Sequence, residues 1–409
     1  MKKLLIIGFV WPEPQSSAAG GRMLQLISIF KELDYEITFA STALNLDYSE
    51  NLSLLDIKTA QIHLNDVSFD VFCKNLNPTA VLFDRFLTEE QFGWRVAEVC
   101  PAALRILDTE DLHSLRLTRQ KAIKEGKIFC TDDLLQSDVA KREIASIYRC
   151  DLSLMVSEFE MDLLKNVFCV PAFLIYYLPI FADEIIVNDI DFDKRQDFVF
   201  IGNFLHEPNF DAIKYLYDHI WDGIHKRLPA AKMNVYGAYP MQKVLQMNNP
   251  KKNFYVHGRA ENAKDVIEKA KVLLAPLRFG AGIKGKLLEA MQFGTPTITT
   301  LVGAESMNGN LQWNGFICES EHDIIEKSVQ LYSNETIWQK ARKNGYEILE
   351  NRYQKALFDS DFKDKILHVE QDYLQLRTKN FTGTLLLHHT ANSTKYMSKW
   401  IEEKSKKPL

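Results

Sequence analysis

The chain has 409 residues, of which 46% are hydrophobic and 25% charged, and a formal net charge of −5. This profile belongs to a globular protein of two or three domains. It excludes a global electrostatic grip on nucleic acid, and no apolar run approaches the roughly 18 residues of a transmembrane segment.

The opening MKKLLIIGFVWPEP has a short apolar run without a small-residue cleavage site. It predicts a first buried strand over residues 3–10 rather than a signal peptide. A loop over 11–21 follows, then a helix over 22–33 with Met23, Leu26, Ile27 and Phe30 on one face. Gly20, Gly21 and Arg22 stand at that helix start, where a diphosphate could be approached. Further strands fit residues 36–40, 80–83, 104–107 and 152–156, with helices over 89–99 and 134–148. This alternation predicts a parallel sheet covered by helices on both faces. Asp84, Glu110 and Asp111 follow strands and fall at the cleft edge of such a sheet. Acids there serve as helix caps or face a ligand. Residues 170–181 read as a strand between turns.

Six cysteines lie at no metal or redox spacing. Several, such as Cys169 in NVFCVPAF, read as buried thiols in a reducing, cytoplasmic compartment. His206 alone among the histidines falls in a loop worth watching. The acidic stretch 183–197 reads as a linker, which closes a first domain over 1–185. A second alternation occupies 196–350: FVFIG, MNVYG, FYVHG, KVLLAPL, TPTITT and GFICE as strands, with helices over 209–228 and 263–270. Residues 351–409 read as helices crossing back to the first domain. A basic segment over 395–407 leaves peripheral membrane contact open.

The densest signal is KVLLAPLRFGAGIKGKLLEAMQFGTPTITTLVG, residues 271–303. It reads as strand, glycine loop, helix, strand. Gly280, Gly282 and Gly285 let backbone approach a ligand. Ile283 lies within the loop, Arg278 just before it, and Lys284 and Lys286 add positive charge to a helix N-terminus suited to a diphosphate. Glu289, one turn on, could hold a sugar hydroxyl. Gly280-x-Gly282-x-x-Gly285 also spells the dinucleotide fingerprint, with Glu305 about 20 residues on. Yet Pro276 to Phe279 separate it from the strand, and that motif needs no lysines.

Together with FIGNFLHEPNFDAIKYL, this block resembles the donor-binding domain of the family-4-type retaining glycosyltransferases (glycosyl transferases group 1). LRILDTEDLHSLR and Gly20-Gly21-Arg22 resemble their first domain more loosely. The resemblance implies GT-B architecture: two Rossmann-like doubly wound parallel-sheet domains facing a central cleft. It implies a nucleotide-diphosphate sugar as donor, an unidentified hydroxyl acceptor, a retaining reaction, and neither cofactor nor metal. On that likeness Gly202, Asn203, Lys284, Lys286 and Glu289 hold the donor, and Glu110 or Asp111 faces the reacting sugar. Two departures stand out. The first of the family's paired glutamates falls on Ala281, and its frequent first-domain histidine falls near Glu110. A nucleotide-sugar binder without turnover and a dinucleotide oxidoreductase are the competing readings.

Overall fold

A computed structural model describes residues 2–45, 48–182, 190–388, 396–398, 400, 401 and 404. Residues 183–189 of the expected 183–197 linker, and most of the basic 395–407 segment, lie outside these residues.

Strands β1 (Lys2–Gly8), β2 (Tyr35–Ser41), β3 (Lys58–Gln61), β4 (Ala80–Asp84), β5 (Leu104–Asp108), β6 (Leu152–Met155) and β7 (Ile175–Tyr177) form one sheet. Its order is β3-β2-β1-β4-β5-β6-β7, and every pairing is parallel. A second sheet contains β8 (Gln196–Ile201), β9 (Met233–Tyr236), β10 (Phe254–Gly258), β11 (Ala270–Ala275), β12 (Thr297–Thr300) and β13 (Gly315–Cys318). Its order is β10-β9-β8-β11-β12-β13, again all parallel. Two doubly wound parallel sheets facing one cleft make this a GT-B fold, as the sequence implies. Both faces of each sheet are covered, which is why β1, β4 and β11 are apolar runs and not alternating patterns.

Each unit has its own core. One cluster gathers Phe198, Phe200, Trp221 and Trp338 in the second unit. Two clusters flank the first sheet. One of them is completed from far down the chain by Phe362, Ile366 and Val369 of the helix Asp359–Lys379. Arg377 near the end of that helix pairs with Asp151 at 2.7 Å and donates to the carbonyls of Pro101 and Ala103. The terminal helix therefore does lie against the first unit.

Several local expectations need correction. The 134–148 helix is two, Thr131–Leu135 and Asp138–Arg149, because Ser137 accepts from the Ala140 N–H and starts a new helix. The 209–228 helix carries a π-helical turn over Leu216–Ile220. The strand expected over 170–181 is only Ile175–Tyr177, after a 3-10 turn. β3 was not expected at all, since its KTAQ is polar and mostly exposed at the sheet edge. Four of the six cysteines are buried thiols, but Cys130 and Cys169 are exposed. No helix among the described residues is long and apolar enough to cross a membrane.

Candidate active site

The strand ends of both sheets face a cleft of about 1080 Å³. Its floor in the second unit is the loop from Phe279 to Lys286, between β11 and the helix Gly285–Gln292. That helix has no side-chain cap at Lys284 and no acid in its first turn, so its N-terminal N–H groups are left to the cleft. Gly285 is required by the facing unit: a Cβ there would lie 2.4 Å from the Ala18 Cβ.

Lys286 and Glu289 both line the cleft. Lys286 Nζ donates to Asn209 Oδ1 at 2.6 Å and lies 4.2 Å from the Phe200 ring centroid. Desolvation against this wall lowers its pKa to about 7. The same desolvation raises the Glu289 carboxyl to about 7, and Lys286 opposes that rise. Gly202 leaves room for this arrangement, since a Cβ would meet Lys286 Nζ and Asn209 Nδ2 at 2.7 Å. Asn209 also binds the Asn203 carbonyl at 2.8 Å. Gly202, Asn203, Lys286 and Glu289 thus line one space. Gly280, Gly282 and Ile283 line the same space, and His206 stands exposed at its rim. Lys284 also borders the cleft but is 8% exposed, and its Nζ is turned back onto the Gly282 carbonyl at 2.9 Å. Burial lowers it to about 8, against the pull of Glu305.

In the first unit Glu110 faces the cleft from the end of β5. Its backbone is left-handed, φ 62°, a strained conformation for a residue with a side chain. Its Oε1 is buried with no hydrogen-bond partner among the described residues. Burial raises its carboxyl to about 8, reinforced by Asp108. Asp111 lies beside it but is occupied. Arg116 binds it at 2.7 Å and His113 Nε2 stands at 3.3 Å. Though burial works the other way, the Arg116 guanidinium above all holds it well below the ordinary carboxylate range. Burial lowers the His113 imidazole to about 4, so it is neutral at pH 7.

Three predicted residues do not reach the cleft. Arg22 is buried and forks onto Asp108 at 2.7 and 2.9 Å, with a further bond to the Leu178 carbonyl. A guanidinium with two fixed acceptors inside the fold is a tie between elements. Gly21 is not among the cleft residues, whereas Gly20 is. Arg278 turns outward onto Asp211 at 2.9 Å and over the Tyr215 ring. Glu305, the ribose acid of the dinucleotide reading, is held by Arg119 at 2.7 Å. Glu305 is therefore already engaged and is not free to serve such a fingerprint.

Other contacts across the cleft were not visible in the sequence. Tyr239 donates to Glu13 at 2.7 Å, and Glu160 accepts from the Gly282 N–H at 2.7 Å. Each pairs an ordinary-looking helix or loop residue with a group far away in sequence, and no local motif marks them.

Residues 195–334 match the glycosyl transferases group 1 family. The second unit is a group 1 glycosyltransferase domain. Solved structures similar over most of the chain extend the likeness of fold to both units. An S. aureus TarM variant in complex with Fondaparinux, alpha-GlcNAc-glycerol and UDP shares 12% identity, covers 90% of this chain and 100% of its own, and has a TM-score of 0.66. Sucrose-phosphate synthase from Thermosynechococcus elongatus shares 13%, covers 93% and 100%, and scores 0.67. The pneumococcal O-GlcNAc transferase GtfA, in complex with UDP and GlcNAc, shares 13%, covers 90% and 99%, and scores 0.66. No curated protein sequence matches the chain. The glycosyltransferase domain contributes the loop, lysine and carboxylate side of the cleft, and the first unit contributes Glu110.

Proposed function

We propose that the protein transfers a sugar from a nucleotide-diphosphate donor to a hydroxyl acceptor, with retention of anomeric configuration and without a metal. The observation that carries this reading is Lys286 beside Glu289 at an uncapped helix N-terminus inside the cleft. The diphosphate gains charge as the anomeric C–O bond breaks. An ammonium and a helix N-terminus stabilise it without a cation. Lys286, lowered to about 7 by desolvation, becomes fully charged once an anion sits beside it. Glu289 takes the ribose hydroxyls, and Gly202 and Asn203 line the donor's path. Glu110 stands opposite, on the reacting face. The acceptor oxygen bonds the anomeric carbon on the face the diphosphate leaves, and the acceptor proton departs with the diphosphate. Domain closure keeps water from the activated sugar. Free thiols at Cys73 and Cys100, 3.6 Å apart, suit a cytoplasmic enzyme.

The test is a panel of nucleotide sugars, each assayed for release of the nucleoside diphosphate and for labelled product. A nicotinamide cofactor that stabilised the protein, with no response to any nucleoside diphosphate, would overturn the proposal. Diphosphate binding without turnover of any donor would favour a sugar-nucleotide binder.

A further inference from the structure

Glu160 has no part in the chemistry above, yet both walls of the cleft meet at its side chain. It lies in the helix Glu158–Asn166 of the first unit and is 0% exposed. Its Oε1 accepts two backbone N–H groups, from Gly282 of the donor loop at 2.7 Å and from Leu112 at 3.2 Å. Leu112 is two residues past Glu110 and opens the helix His113–Lys124. One oxygen atom therefore joins the Glu110 turn to the donor loop. Its Oε2 is buried and has no hydrogen-bond partner among the described residues. A carboxyl left half-satisfied in the interior costs stability. Fold stability alone gives no reason for this residue. The loop it holds has no slack: Gly282 has φ 61°, and a Cβ there would lie 2.9 Å from Asp111 Cβ and 3.1 Å from the Glu110 carbonyl oxygen. Arg119 provides a second tie from the helix that Leu112 opens. It donates to the Gly280 carbonyl at 2.9 Å and pairs with Glu305, its guanidinium lying between the Phe129 and Phe159 rings.

We propose that Glu160 is a positioning residue whose Oε1 sets the separation between the Glu110 turn and the Gly280–Lys284 loop, a reading that rests on sugar transfer in this cleft. The groups assigned to the nucleotide diphosphate all belong to the second unit. Loss of Glu160 then leaves their hold on the nucleotide nearly intact and misplaces the reacting face. A misplacement of about 1 Å is enough to cost on the order of 100-fold in rate.

The experiment compares the parent with Glu160→Ala, Glu160→Asp and Glu160→Gln. UDP affinity is measured by calorimetry, and UDP release from UDP-glucose and UDP-N-acetylglucosamine gives turnover. Amide exchange of the segment 278–284 is followed in the same proteins. Glu160→Ala and Glu160→Asp, which withdraw the oxygen, are expected to lose on the order of 100-fold in kcat with UDP affinity within about threefold. Their 278–284 amides should exchange faster. Glu160→Gln, which keeps an acceptor oxygen in place, should retain most of the parent's turnover and protection. Parent-like turnover and exchange in Glu160→Asp would overturn the proposal, as would equal losses of affinity and kcat. A parent that binds none of the nucleoside diphosphates in the panel above sinks the sugar-transfer reading instead. The exchange result then still tells whether Glu160 holds the loop.

Discussion

Lys286 and Arg278 are both basic residues beside the glycine loop, and their surroundings set them apart. Lys286 is turned into the cleft, and Arg278 is spent on Asp211. Lys286→Ala should weaken nucleoside diphosphate binding by about 1.5–3 kcal/mol, the worth of a charged hydrogen bond. Arg278→Ala should leave it unchanged. Calorimetry on the two variants distinguishes them, and equal losses would mean that Arg278 reaches the ligand after all. Burial gives a second prediction at Glu143. It accepts from the backbone of His113 and Ser114 at 2.8 and 3.0 Å, and desolvation raises it to about 7. The folded chain thus keeps a proton that the unfolded chain releases near the ordinary glutamate pKa of about 4.5. Stability from this group is full below that pH and is lost as pH rises to about 7. Glu143→Gln has no such proton to hold. The Tm of the variant minus that of the parent should therefore climb between about pH 5 and 7 and level off above. A flat difference would show that Glu143 is ionised throughout.

Adjacent glycines in the helix Ala18–Glu32 show how much depends on what an element packs against. A Cβ on Gly20 would lie 2.4 Å from the backbone of Glu13, whereas one on Gly21 would meet nothing within 4 Å. Gly20→Ala must displace main chain and should cost about 1–3 kcal/mol. Gly21→Ala should stabilise by up to about 1 kcal/mol through helix propensity. Urea unfolding of both variants checks the pair, and similar midpoints would contradict the assigned contacts. The sequence alone shows two glycines and an arginine, so it could suggest a ligand loop but not which residue faces inward. The strands were legible for a simple reason. β1, β4, β8 and β11 are buried on both faces, and their apolar runs say so. β3 is short, polar and half-paired at an edge, and nothing in KTAQ distinguishes it from a loop. The glycine loop was legible because it concentrates its chemistry in eight consecutive residues. Glu160, Arg119 and Glu13 work through partners more than a hundred positions away. Such pairings belong to the packing of two units and leave no local pattern.

Across the whole molecule, the helix Asp359–Lys379 supplies four buried side chains, Phe362, Ile366, Val369 and Leu376, to the core of the first unit. Full burial of one such side chain is worth about 1.5–3 kcal/mol. Four of them contribute about 6–12 kcal/mol, so removing residues 359–409 should cancel most or all of the roughly 5–15 kcal/mol that a domain has to lose. The second unit keeps its own core. The truncated chain is expected to present an unfolded, protease-sensitive first half while still binding a nucleoside diphosphate, and to transfer no sugar. Limited proteolysis and calorimetry decide it, and a protease-resistant first half would show that the terminal helix is dispensable.

The position of that helix also sets the order in which the molecule can be finished during synthesis. Residues 196–353 include every strand of the second sheet and the helix that ends near Tyr353, and they are synthesised before Phe362. The sheet made first must wait for a segment made near the end, so that Phe362 can reach its edge-on contact with Phe30 at 6.2 Å. The half that begins the chain is thus the later one to close. Until then its apolar face is exposed to chaperones, and a chain released at residue 355 would carry a finished second unit beside an unfinished first one.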